Sequence, residues 1–206
     1  SRGKMSAAAT HPASLVQAPD AQAGAIRRLD WAWPLAIVVG IPIGGYAANI
    51  IVGKVDSVGA ALVGGLIAGA IIGAAQWLAL RSFVPWAWVV ATSVGMTAGL
   101  TAGAALVDYG ISRGDLALMG AVTGLAVGGL QAFLLARRGS GALWWLLVNP
   151  PAWALAWFVT TFVITKNVNA HFAVFGASGA LGFALLTWLV LTYLLRPGVR
   201  NPRRPS

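Results

Sequence analysis

The sequence predicts an all-α integral membrane protein, with six transmembrane helices arranged as three pseudo-repeated helical hairpins. Three observations carry this expectation. Of the 206 residues, 58% are hydrophobic and only 9% are charged, against about 25% charged in a soluble domain; the mean hydropathy is +0.78. The apolar residues fall into six runs of about 20 residues, the length needed to cross about 30 Å of hydrocarbon at about 1.5 Å per residue. Finally, the pattern of the first two pairs of runs recurs at an offset of 55 residues.

Residues 1–30 are rich in Ala, Pro, Gln and Ser and are expected to form a disordered cytoplasmic segment. They contain no apolar stretch of the kind a cleavable signal peptide carries. The membrane domain is expected over 31–195, with spans at 31–52, 58–80, 86–107, 116–136, 142–165 and 170–195. Lipid offers no water to backbone polar groups, so each run should be helical. The connectors Gly53–Ser57, Arg81–Pro85, Asp108–Asp115, Arg137–Gly141 and Lys166–Asn169 are short and hold most of the charge, which makes sequential helices antiparallel neighbours. A basic tail at 196–206 is expected to be cytoplasmic, with Pro197 and Pro202 preventing a helix.

Orientation follows from the basic residues. Eleven of the 14 Lys and Arg lie on the side of both termini, and only Lys54, Arg113 and Lys166 lie on the other. The positive-inside rule then predicts a multi-pass protein of the plasma (inner) membrane with both termini in the cytoplasm. Trp31, Trp33, Trp86, Trp88, Trp144 and Trp145 open the odd spans just after the arginines, where amphipathic rings form an interfacial belt. The net charge of +9 sits at span ends and in the tail, so anionic lipid headgroups rather than nucleic acid are the expected partners.

The second span reads Gly65-x3-Gly69-x3-Gly73-x2-Gln76-Trp77-Leu78, and the fourth Gly120-x3-Gly124-x3-Gly128-x2-Gln131. The preceding odd spans match at the same offset, Trp31-Ala32-Trp33 with Trp86-Ala87-Trp88 and Gly44 with Gly99. A third copy is fainter: Gly176, Ala180, Ala184, Thr187 and Trp188 take the places of Gly65, Gly69, Gly73, Gln76 and Trp77. The repeats are therefore about 31–81, 86–138 and 142–195, related by an axis along the membrane normal. These tandem hairpins resemble a loose group of uncharacterised bacterial multi-spanning membrane proteins. The resemblance covers 31–138 and 142–195 unequally, and it implies repeat architecture without a transferable activity.

Glycines four apart share one helix face and let another backbone approach closely. Three such ladders are present: Gly65, Gly69 and Gly73; Gly95, Gly99 and Gly103; and Gly120, Gly124 and Gly128. They are expected to pack helices within the chain or, as a second reading, against another subunit. Gln76 and Gln131, with Thr187 in the third copy, are expected to clamp helices or to line a polar path. Pro42, in the run Gly40 to Gly45, and Pro150 and Pro151 are expected to break the first and fifth spans, through kinked packing or a solute site. Tyr46, Asn49, Thr97, Thr101, Thr160, Thr161 and Thr165 are expected toward the other end, lining a vestibule or bonding back to their own helices.

Reactive chemistry is sparse. Cysteine and Glu are absent, Asp numbers five and His two, and no ionisable residue lies deep in a span, as a pump or coupled carrier would need. Neither a phosphate loop nor a His-Glu-x2-His pattern appears, and His171 has no second ligand. No metal site and no catalytic residue are expected. No cofactor is required, although an apolar pigment, a quinone or a lipid could lie between helices. The leading expectation is a non-catalytic structural or accessory subunit of a larger membrane complex, associating with other membrane subunits or with itself. The alternative is a small-solute channel or the membrane-embedded substrate-binding subunit of a transporter. In size and span number only, the chain is similar to the binding subunits of energy-coupling-factor vitamin transporters, which lack its threefold repeat.

Overall fold

The computed structural model describes residues 17–137, 141–163 and 177–195. They form six helices: α1 (Gln17–Val52), α2 (Val58–Leu80), α3 (Ala87–Leu106), α4 (Arg113–Ala136), α5 (Ala142–Thr160) and α6 (Ala177–Leu195). All six are long and apolar enough to cross a membrane, with the spanning part of α1 at Arg28–Val52. Among the described residues there is no strand.

Helix ends differ from the expected spans where local chemistry decides. α1 begins at Gln17, so residues 17–30 are helical rather than disordered. Alanines at 18, 21, 23 and 25 are the strongest helix formers, and Pro19 falls in the first turn, where proline is tolerated. α4 begins at Arg113 because Ser112 and Asp115 form a reciprocal capping box, which satisfies two otherwise free backbone donors. Ser57 caps α2 by accepting from the Ala60 amide. The α3–α4 turn runs through positive φ at Asp108 and Tyr109, with Tyr109 N–H bonded to Ala104 O. The expected span ends at 165 and 170, the Lys166–Asn169 connector, Thr165, His171 and Gly176 lie outside the described residues, as do 138–140 and 196–206.

The helices form a closed ring. Each packs on its neighbour in sequence, and α6 returns to pack on α1. On the even helices, Leu66, Leu125 and Leu185 point outward, more than half exposed, whereas Gly, Ala, Thr and Gln make up much of the faces of α2, α4 and α6 that meet other helices, beside larger residues such as Ile72, Val127 and Phe183. Lipid tails are as apolar as leucine, so association rests on close packing and interhelical hydrogen bonds.

The glycine ladders make that packing, each against the next helix. A Cβ on Gly65 or Gly69 would stand 2.7 Å from the Cα of Thr97 or Ser93 on α3. At Gly95 and Gly99 it would be 2.6 and 2.5 Å from Val127 and Thr123 on α4. At Gly120 and Gly124 it would be 2.7 and 2.6 Å from the carbonyls of Trp153 and Asn149 on α5. Gly73 meets Val89 and Thr92, Gly103 meets Met119, and Gly128 meets the Asn149 side chain in the same way. On α1, Gly40 and Gly44 face Ala75, Ile72 and Ala68 of α2, and Gly179 of α6 abuts the Ala156 carbonyl of α5. All of these contacts are within the chain.

The expected breaks are absent from the backbone. α1 runs through Pro34 and Pro42 without interruption, and α5 runs through Pro150 and Pro151. Neighbouring helices in a bundle stabilise a proline-bearing span. Here Gly40 and Gly44 bring α2 against α1 on either side of Pro42, and Gly124 brings α4 against Pro150.

Candidate functional site

Near the end of the ring that carries Arg28, Arg81 and Arg137, a polar layer crosses the interior. Its residues are Trp33, Trp88 and Trp145 from the odd helices, Gln76, Gln131 and Thr187 from the even ones, and Thr92. Every one is fully buried or within 1% of it. Three of the six tryptophans expected at the interface are thus interior residues. The residues two apart in Trp31-Ala32-Trp33 and Trp86-Ala87-Trp88 differ by about 200° around a helix, so one ring of each pair must turn in. Trp31, Trp86 and Trp144 are the outward members, more than half exposed.

Each inward tryptophan donates its indole N–H to the even helix that precedes it around the ring. Trp88 Nε1 donates to Gln76 Oε1 at 3.1 Å and Trp145 Nε1 to Gln131 Oε1 at 3.0 Å. Trp33 Nε1 donates to Thr187 Oγ1 at 2.9 Å. This last bond joins α1 to α6 and seals the ring across 154 positions of sequence. The three contacts occupy equivalent places in the three hairpins, and this is the clearest structural expression of the repeat. The indoles meet one another as well, Trp33 edge-on to Trp145 at 5.8 Å and Trp88 tilted against Trp145 at 5.9 Å, an arrangement aromatic quadrupoles favour over a flat stack.

A second set of bonds ties the layer across its width. Gln131 Nε2 donates to Gln76 Oε1 at 3.0 Å and to Thr92 Oγ1 at 2.8 Å. The Thr92 hydroxyl donates back to Trp88 O at 2.8 Å, and the Thr187 hydroxyl to Phe183 O at 2.7 Å. Gln131 therefore has both amide protons and its carbonyl in use. The expected clamp residues Gln76 and Gln131 touch directly, whereas Thr187 joins only through Trp33.

The layer holds donors and acceptors but no ionisable group. Its two hydroxyls are bonded to carbonyls of their own helices, so neither faces a base. Among the described residues, no three His, Asp or Glu side chains come together as a metal site would require. Farther along the ring, Thr97 and Thr160 bond back to Ser93 O and Ala156 O, and Thr161 bonds to Phe158 O. These hydroxyls serve their own helices rather than a vestibule.

Four buried polar atoms have no partner: Asn149 Oδ1, Trp153 Nε1, Trp188 Nε1 and Thr101 Oγ1. Asn149 was not singled out as a polar residue by the sequence, although it lies four residues beyond Trp145, as Thr92 lies four beyond Trp88. On the outer wall, Trp86, Val90, Val94, Leu130, Phe133 and Leu134 border an apolar groove of about 320 Å³ between α3 and α4. Arg137 lies over the Phe133 ring, 4.6 Å from its centroid.

Comparison of the chain with protein-family models, with curated proteins and with solved structures finds no match.

Proposed function

We propose that this chain is a non-catalytic, structural or accessory subunit of a larger assembly in the bacterial inner membrane, with both termini in the cytoplasm. The observation that carries the reading is the way the interior is tied up within the chain. The three inward indoles, Gln131 and Thr92 direct their side-chain donors to acceptors of the same chain, and the glycine faces are occupied by its own helices. Recognition then falls to the outer wall, where Trp31, Trp86 and Trp144 are exposed. These rings suit the headgroup level or the flank of a neighbouring helix. Lipids, an apolar pigment or a quinone would be held there too.

Native mass spectrometry of the protein, expressed at native level and extracted in mild detergent, tests this. Retained membrane subunits in fixed stoichiometry are expected. A clean monomer without partner, lipid or pigment overturns the reading.

A small-solute channel or substrate-binding subunit is the second reading, favoured by the unpartnered Asn149 Oδ1 beside Pro150 and Pro151. It requires the three indoles of the layer to separate for passage. A stoichiometric small polar molecule in the same spectra, with no protein partner, would support it over the first.

A further inference from the structure

The groove of about 320 Å³ on the outer wall between α3 and α4 is lined by apolar and aromatic side chains. Its α3 lining runs from Trp86 to Val94. That stretch measures about 12 Å along a helix, most of the depth of about 15 Å that one leaflet gives to hydrocarbon. Trp86 stands just before α3 and is 68% exposed, an amphipathic ring suited to the level where headgroups begin. The groove therefore has the length, the chemistry and the depth in the bilayer of one acyl chain.

A cation stands at the same end. Arg137 caps the C-terminus of α4 and is exposed. Its guanidinium lies over the ring of Phe133, 4.6 Å from the centroid, and Phe133 is itself part of the groove lining. Stacking uses the flat face of a guanidinium and leaves the N–H groups in its plane for an acceptor such as phosphate. The neighbouring helices supply no counter-charge: α4 packs on α3 and α5, and neither contains an Asp or Glu. Asp20 and Asp30, the aspartates at this end, belong to α1. The pairing is also particular to the second hairpin. Two positions beyond Gln76, Gln131 and Thr187 stand Leu78, Phe133 and Leu189, and six beyond stand Ser82, Arg137 and Tyr193. Ring and cation occur together in one copy of the three.

We infer that the α3–α4 groove binds a single anionic phospholipid, with one acyl chain along the stretch from Trp86 to Val94 and its phosphate accepting from Arg137. A free anion would leave the apolar groove empty, and an uncharged apolar molecule would leave the cation unmatched. A zwitterionic headgroup adds an ammonium, for which α3 and α5 offer no carboxylate. A headgroup of net negative charge, such as phosphatidylglycerol, is therefore preferred, by about fivefold for one basic residue near the surface. The inference rests on the part of the accessory-subunit reading that gives recognition to the outer wall, and it names one occupant there.

The test is native mass spectrometry of the full chain released from nanodiscs of equimolar phosphatidylglycerol and phosphatidylcholine. One phosphatidylglycerol per chain is expected to survive release, in about fivefold preference over phosphatidylcholine. Arg137→Gln should bring the two lipids to near parity. Val90→Trp, at a groove position that is 45% exposed, fills the groove and should lower retention of both lipids several-fold. Arg113→Gln serves as the control for charge alone, because Arg113 is also stacked on a ring, 4.4 Å from the centroid of Phe162, but at the opposite end of α4; it should leave the preference within twofold. Size-exclusion profiles report folding, and Arg137 is exposed, so its replacement leaves the packed interior untouched. Absence of a phosphatidylglycerol preference in the unmodified chain overturns the inference. So does a preference that persists in Arg137→Gln or falls equally in Arg113→Gln, or retention undiminished in Val90→Trp. A quinone, a pigment or a protein subunit displaced by Val90→Trp would be the occupant instead and would overturn it too. Subunits retained equally in all variants bear on the accessory role alone, so the two readings fail separately.

Discussion

Gln131 is the residue on which the polar layer turns, since one side chain bonds Trp145, Thr92 and Gln76. Replacing it by leucine keeps the bulk and removes all three bonds, leaving the Trp145 indole N–H buried without an acceptor. An orphaned buried donor costs about 1–3 kcal/mol. Gln131→Leu should therefore lower the thermal unfolding temperature in detergent clearly. Trp86→Phe, on the exposed member of its pair, should stay within about 0.5 kcal/mol of the unmodified chain. Equal stability of the two variants would show that the layer contributes nothing. The sequence makes Gln76 and Gln131 conspicuous, as the only glutamines inside spans. It also sets Thr187 in the same place in the third copy, but it hides the inward turn of Trp33, Trp88 and Trp145, because a rule that assigns tryptophan to the interface carries no information on which face each ring occupies. The two-residue spacing in Trp-Ala-Trp was the available signal, since residues so placed point to opposite sides of a helix.

At the scale of the helix, ladder spacing in the sequence reveals which faces pack but not what packs on them. Each ladder proves to meet the next helix of the same chain, so a bulky substitution attacks the monomer. Gly69→Leu and Gly124→Leu place side chains where backbone atoms already lie within 2.7 Å of a Cβ. Overpacking of this kind costs about 1–3 kcal/mol. Detergent-solubilised monomer should lose stability in both, measured by thermal unfolding and size exclusion. Two other glycines separate crowding from conformation. Gly59 is helical with nothing within 4 Å of its Cβ position, so Gly59→Ala should be neutral or stabilising by up to about 1 kcal/mol. Gly53 is equally open but sits at φ +68°, and Gly53→Ala should cost about 1–2 kcal/mol. If Gly69→Leu and Gly59→Ala behaved alike, the close α2–α3 approach would be wrong. Three of the six seams have no three-glycine ladder, and at one of them no described glycine makes the contact at all. α1 and α6 are joined by the Trp33–Thr187 bond, and a contact between residues 154 apart leaves no periodic trace in a single sequence.

For the whole molecule, six spans and an even number of crossings put the loops on alternate sides, and charge sets which side is which. Ser57 and Ser112 are exposed at the ends of α2 and α4 that lie away from the polar layer, and Ser82 is exposed in the α2–α3 connector beside Arg81. The native chain has no cysteine, so single cysteines report position without background. An impermeant maleimide added to intact cells should label Ser57→Cys and Ser112→Cys. Ser82→Cys should react only after the membrane is opened. Loss of the serine caps at 57 and 112 costs about 1 kcal/mol each, small beside the packing that holds α2 and α4 between their neighbours. The reverse pattern would overturn the charge-based orientation while leaving the ring intact. A mixed pattern, with Ser57→Cys and Ser112→Cys on different sides, would break the alternation itself. Two hairpins with the same orientation could not then present Trp88 and Trp145 to Gln76 and Gln131 at one level, so the labelling tests the threefold ring as well as its direction in the membrane.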